Sequence, residues 1–220
     1  MSIAANIEKL KQQLSQNIKL IAVSKTKPNE NILEAYNAGQ KVFGENKVQE
    51  LVSKHEQLPK DIEWHLIGHL QSNKVKYIAS FVHLIHSIDS ESLLLEVNKQ
   101  AAKFSKIQKV LLQISIADED TKFGLNQNEL SIIIDNYLND CYPNIEIIGL
   151  MGMATFTENE EKIANEFAGL KKLYDEIKFS YFNKHESFNQ LSMGMSSDYE
   201  IAIKEGSTMI RVGSNIFGSR

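Results

Sequence analysis

Apolar residues follow two alternating rhythms along the chain. Eight short runs are dense in aliphatic residues: IKLIAVS (18–24), KVFGE (41–45), IEWHLIG (62–68), LIHSI (84–88), KVLLQIS (109–115), IEIIGLMGMA (145–154), FNQLSMGMS (188–196) and MIRVGSNIFG (209–218). Their length and near-continuous hydrophobicity predict strands covered on both faces. Between them, apolar residues recur at helical spacing. The segment 29–38 begins after Pro28 and stops at Gly39, and 90–102 follows Asp89 and carries Leu93, Leu94 and Val97. The same spacing predicts helices over 126–137 and 159–177, with a shorter one over 197–204 closed by Gly206. Ahead of the first strand, Ile3, Ile7, Leu10 and Leu14 mark an additional N-terminal helix.

Strand–helix alternation of this kind calls for a parallel sheet with helices outside it, and eight units in 220 residues predict a closed (β/α)8 barrel. The fold class is therefore α/β, a single barrel domain over 1–220 with an extra N-terminal helix. An open doubly wound sheet would announce its ligand crevice with a glycine-rich turn after the first strand, and SKTKPNE contains no glycine. With the eighth strand read as far as Phe217, no appended domain is expected.

Composition narrows the class further. A hydrophobic content of 42% supports a large core, and a net charge of −4 with scattered lysines provides no basic stripe for nucleic acid. No run approaches the ~18 apolar residues of a membrane span. The single cysteine, Cys141, excludes an internal disulfide and fits a reducing, cytoplasmic compartment. Its setting beside Tyr142 and Pro143 indicates a connector rather than a nucleophile.

Candidate chemistry lies where barrel strands end, because loops at their C-terminal ends form the active face of such barrels. Lys25 follows the first strand with the parity of Ile21 and Val23, which points it toward the barrel mouth. Apolar surroundings and a second cation at Lys27 both favour an uncharged amine, a nucleophile for an aldehyde. Taken alone, the two lysines read equally well as loop residues with their heads in water. After strand eight, Arg211 is followed by Gly213 and Ser214, and Ser196 closes strand seven; loops seven and eight are the usual phosphate site of barrels. His65 and His69 have the four-residue spacing of helical zinc ligands but stand on a strand, where that spacing separates the rings, so no metal site is expected of the pair. His83 and His86 read as structural. Lys122, in DEDTKFG beside Asp118, Glu119 and Asp120, reads as a solvated loop lysine or as a second amine for an aldehyde ligand.

The stretches AVSKTKP, FGENKVQE, EWHLIGHLQSNK, TKFGL, GLMGMA, LSMGMSSDYEIAI and GSTMIRVGSNIFG, in this order, resemble the motifs of the pyridoxal phosphate homeostasis protein family. The resemblance implies a fold type III barrel related to the N-terminal domain of bacterial alanine racemase. It implies pyridoxal 5′-phosphate (PLP) held as an internal aldimine on Lys25, with Asn46 beside the ring and Arg211 facing the pyridine nitrogen. Ser196, Gly213 and Ser214 would hold the phosphate; many relatives have threonine at the position of Ser214. The implied function is PLP binding in vitamin B6 homeostasis, with apo PLP-dependent enzymes as the acceptors and a monomer or weak dimer as the assembly. A guanidinium can only donate, so the ring nitrogen opposite it stays unprotonated and the ring is a weaker electron sink. Racemases resembling this barrel carry a second β domain with an acid/base tyrosine, which is not expected here. A non-enzymatic carrier is the favoured expectation. An amino-acid racemase or related PLP enzyme, and a cofactor-free aldolase acting on a sugar phosphate through Lys25, stay open at this point.

Overall fold

The computed structural model describes residues 2–117 and 123–218; the candidate amine Lys122 and its acidic neighbours lie outside them. The chain runs α1 (Ile3–Gln13), β1 (Lys19–Val23), α2 (Asn29–Asn37), β2 (Val42–Glu45), α3 (Val48–Gln57), β3 (Glu63–Leu66), a 3-10 turn (Ser72–Tyr77), β4 (Leu84–Ile88) and α4 (Glu91–Ala102). It continues β5 (Gln108–Gln113), α5 (Gln127–Leu138), β6 (Ile145–Met151), α6 (Glu160–Ser180), β7 (Gln190–Met195), α7 (Tyr199–Lys204), β8 (Met209–Val212) and α8 (Ser214–Phe217). The eight strands pair in parallel, each with its sequence neighbour, and β1 with β8 closes the barrel. Side-chain oxygens satisfy the first orphan amides of several helices: Ser2 caps α1, Ser90 caps α4, and Asn126 with Glu129 forms a capping box on α5.

Strand alternation divides the apolar residues into two layers. Phe43, Trp64, Leu66, Ile85 and Leu191 face the helices and join the large outer core, whereas Ile21, Leu84, Leu111, Ile148, Met151 and Met209 form a separate cluster inside the barrel. The lumen is not uniformly apolar. His65, His86 and Ser192 are fully buried and Arg211 is only 4% exposed.

Two features depart from the sequence reading. The run MIRVGSNIFG is not one strand to Phe217: β8 ends at Val212, and Ser214–Phe217 turns into α8, with Ile216 and Phe217 donating to the Gly213 carbonyl. Burial of Ile216 and Phe217 outside the barrel decides this, and Asn6 of α1 secures the turn through the Ile216 carbonyl at 2.9 Å. Second, α3 and the 3-10 turn occupy connections in which no helix had been predicted. The apolar stripe of α3, Val48, Leu51 and Val52, is short and is followed by KHEQ, too weak a periodicity to stand out. Among the described residues, no helix is long and apolar enough to cross a membrane.

The β5–β6 register slips at Gly149: Val110 pairs with Ile147 but Leu111 with Gly149. Gly149 has φ +154°, and a Cβ there would fall 1.7 Å from the Gln190 carbonyl oxygen of β7. The bulge is thus possible only with glycine. Gly149→Ala is expected to destabilise the barrel by about 3 kcal/mol or more, read as a drop in the urea midpoint.

Candidate functional site

At the C-terminal end of the strands lies a cavity of about 580 Å³, and its lining includes Lys25, Asn46, Ser196, Arg211, Gly213 and Ser214, all six residues singled out from the sequence. A larger groove of about 800 Å³ runs outside the barrel between α5 and α6. It is walled mainly by helix flanks and lacks the convergence of lysine, arginine and a glycine–serine turn, so the mouth cavity is the candidate site.

Lys25 does not extend β1. The strand stops at Val23, the Lys27 amide bonds back to the Ser24 carbonyl at 3.0 Å, and Thr26 adopts φ +64°, unusual for a β-branched residue. The turn is held from α3. Glu50 Oε1 accepts the Thr26 amide at 2.6 Å, and Lys54 Nζ donates to the Ser24 carbonyl at 2.7 Å. Lys54 also donates to Glu45 Oε1 at 2.7 Å and Glu50 Oε1 at 2.6 Å, while the Ser24 hydroxyl donates to Glu45 Oε1 at 2.6 Å. One buried ammonium therefore ties the end of β1, the end of β2 and α3 together, and so sets Lys25 and Asn46 on adjacent rims. Lys27 points elsewhere: its amine donates to the Phe217 and Gly218 carbonyls at 3.3 and 3.1 Å, where α8 ends. Among the described residues, the amine of Lys25 meets no acceptor or carboxylate.

Arg211 rises from β8 into the floor of the cavity. Its Nη1 donates to the carbonyl and hydroxyl of Ser192 at 2.9 and 2.5 Å, and Nη2 donates to the Gly152 carbonyl at 3.0 Å. Burial pulls its pKa down to about 10, opposed by the charge of Asp198, so it remains a cation at neutral pH. Three of its five N–H groups are used, which leaves two for a ligand. Below it, Ser192 Oγ lies 3.0 Å from His86 Nδ1, and His86 Nε2 lies 2.9 Å from His65 Nδ1, a polar column down the lumen. Burial pushes the pKa of both histidines well below the usual range, and neighbouring cations add to the effect, so both rings are neutral.

On the other wall, the Gly213 amide donates to Ser196 Oγ at 3.0 Å, joining the ends of β7 and β8. A Cβ at Gly213 would approach the Val23 carbonyl oxygen to 3.2 Å and Val23 Cβ to 3.3 Å. A side chain there would crowd the end of β1. His69 does not stand on the strand with His65: β3 ends at Leu66, and His69 lies in the loop beyond it, 2.9 Å from Asp89 and stacked on Phe123. Phe156, 90% exposed, completes the lining. Sequence reasoning missed Lys54, Glu45, Glu50, Ser192 and the lumen role of His86. Only the FGE and strand-four motifs hinted at them, since their partners lie far away in the chain.

A family model described as alanine racemase, N-terminal domain, matches residues 1–220. The pyridoxal phosphate homeostasis protein of Aquifex aeolicus is 43% identical over 203 residues, spanning 92% of this chain and 87% of its own. The chain belongs to the pyridoxal phosphate homeostasis protein family. The Homo sapiens member is 38% identical over 212 residues, 92% of this chain and 76% of its own. Among solved structures, PipY of Synechococcus elongatus without PLP superposes with a TM-score of 0.92 at 35% identity, covering 98% of this chain and all of that one, and its PLP-bound form with 0.89. Alanine racemase from Bartonella henselae, 17% identical, shares the fold with a TM-score of 0.74; the chain spans 60% of that racemase.

In this family member the Lys54 network carries a pH signature. Burial raises the Glu45 pKa, against the opposing pull of Lys54, and Glu45 Oε2 has no partner among the described residues. A carboxyl whose folded pKa is raised favours folding while protonated, and that contribution is lost as pH rises through the folded value. Removing Lys54 raises the value further. Lys54→Met is expected to cost about 3–5 kcal/mol near neutral pH and distinctly less in mild acid, measured by urea unfolding at about pH 5 and about pH 8.

Proposed function

We propose that the mouth cavity holds PLP and that the chain serves in PLP homeostasis, keeping the cofactor bound and passing it to apo PLP-dependent enzymes. The observation that carries this reading is the convergence, in one cavity, of a lysine amine that meets no partner among the described residues, a buried arginine and a glycine–serine turn. Relatives covering nearly the whole chain bear the homeostasis name, and a PipY structure holds PLP. The whole of 1–220 is read as the one binding domain.

The donor set fits the cofactor group by group. Ser196, Ser214 and the Gly213 turn offer hydroxyls and amide dipoles to a phosphate, and the absence of a side chain at Gly213 leaves the approach open. Asn46 lies on the rim beside Lys25 and would flank the ring. Arg211, oriented by Ser192 and Gly152, offers its two remaining N–H groups to the pyridine nitrogen. When bound, PLP supplies an aldehyde that is a covalent acceptor for a primary amine, and Lys25 is the amine placed to meet it.

The same arginine weighs toward a carrier, an arrangement that racemases resembling this barrel nonetheless tolerate. A guanidinium with a pKa of about 10 cannot hand a proton to the ring nitrogen and then retrieve it at neutral pH. The ring therefore keeps a poor electron sink, which disfavours carbanion chemistry. The polar column beneath Arg211 fixes its orientation and closes off any alternative pose.

Borohydride reduction of the PLP-loaded protein followed by peptide mass spectrometry is expected to place the pyridoxyl group on Lys25; recovery mainly on Lys27 would contradict the assignment. Lys25→Ala is expected to lose the visible absorbance of bound PLP while keeping its far-ultraviolet circular dichroism. Ser196→Ala tests the phosphate side. It is expected to weaken PLP by roughly 5–30-fold, the equivalent of one charge-assisted hydrogen bond, while pyridoxal, which lacks the phosphate, changes little in parallel equilibrium dialysis.

A further inference from the structure

At the end of the barrel opposite the mouth, β3 and β4 assemble a second constellation. Glu63 and His65 are two residues apart on β3 and share its lumen face; His83, whose amide bonds to the Trp64 carbonyl, immediately precedes β4. One ligand atom from each of the three lies within 4.8 Å of the others. His83 Nε2 stands 3.6 Å from Glu63 Oε2, and the two imidazole rings are nearly parallel at 5.6 Å. His65 is fully buried, and among the described residues its Nε2 has no hydrogen-bond partner. It lines a polar pocket of about 240 Å³ together with His83, Lys19, Lys109 and Glu146. An orphaned nitrogen at the wall of a polar pocket points to a ligand.

We propose that Glu63, His65 and His83 form a divalent metal site, with zinc the cation whose chemistry fits best. Two imidazole nitrogens and one carboxylate, with a fourth position for water, are a ligand set zinc takes readily. The site is separate from the PLP cavity and does not depend on that reading.

His65 is the fixed ligand. Its other ring nitrogen is committed to His86, which in turn leans on Ser192 and Arg211. Such an outer partner orients a metal-bound imidazole and sets its tautomer. Two proton arrangements satisfy the column. In one, the Ser192 hydroxyl donates to His86, His86 donates to His65, and His65 turns an N–H into the pocket. In the other, His65 Nδ1 donates inward, His86 Nδ1 donates to Ser192, and the His65 Nε2 lone pair faces the pocket. A bound cation selects the second.

Glu63 and His83 are the adjustable ligands. Both side chains are 39% exposed and free to close on a metal bound at ~2.0–2.1 Å. Lys19 is the competitor, with its ammonium 3.5 Å from Glu63 Oε2. Zinc must displace it, which makes Lys19 a diagnostic position.

The test uses the full chain, stripped with chelator and titrated with Zn²⁺ alone by calorimetry and with Co²⁺ by visible absorption. One equivalent is expected in the micromolar range, with the intense Co²⁺ bands of four-coordination. Glu63→Gln and His83→Gln are each expected to weaken Zn²⁺ by about tenfold or more, and Lys19→Met to strengthen it. Because these variants alter half-exposed side chains, circular dichroism is expected to match wild type. Should any of them misfold, ring-nitrogen NMR of wild type decides: Zn²⁺-dependent shifts at His65 and His83 support the site, and shifts confined to other histidines overturn it. Absence of saturable Zn²⁺ uptake, or uptake indifferent to both Glu63→Gln and His83→Gln, would also overturn it.

Discussion

A single ammonium, that of Lys54, holds the mouth of this barrel in shape. It is 6% exposed and is shared by the Ser24 carbonyl, Glu45 and Glu50. Burying a charge is costly unless it is paired and hydrogen-bonded, and Lys54 draws acceptors from the end of β1, from β2 and from α3, although Glu45 Oε2 meets no partner among the described residues. In return, the C-terminal ends of β1 and β2 cannot drift relative to α3. Lys25 and Asn46 stand on those two ends, and the left-handed turn at Thr26 persists because Glu50 grips its amide. A flexible side chain on a loop is thereby placed on a rigid frame.

Inside the barrel a comparable constraint operates along the axis. A lumen filled only by residues such as Ile21, Leu111 and Met209 would pack well but offer nothing to orient a guanidinium. The column of Ser192, His86 and His65 gives up some apolar packing to supply acceptors for Arg211 from below. The two ends of the molecule are thus in hydrogen-bond contact through neutral imidazoles, with the mouth cavity above and the Glu63–His65–His83 constellation beneath.

The fold by itself carries no role. The resemblance in backbone to a racemase at 17% identity is a likeness of scaffold. What the mouth cavity does rests on its own side chains, not on the scaffold.

Much of this was legible in the chain itself. Eight aliphatic runs separated by helical stripes determine a closed parallel barrel, because strands covered on both faces cannot alternate with helices in many other ways. Lys25, Ser196, Gly213 and Ser214 were readable because barrel chemistry sits at strand ends, and the strand ends were visible; Asn46 and the part given to Arg211 came only from the family resemblance. Tertiary structure decided the rest. MIRVGSNIFG reads locally as one strand, yet the burial of Ile216 and Phe217 outside the barrel bends it into α8. Lys27, on the same parity as Lys25 in sequence, is drawn to carbonyls 190 and 191 residues away. Lys54 looks like one more surface lysine on a weakly patterned helix until β1 and β2 close around it. His65 and His83 meet Glu63 only because β3 and β4 are neighbours in register. Periodicity is a local property and is written in the sequence; the partners of a buried charge or an imidazole come from chain closure, which the local pattern does not record.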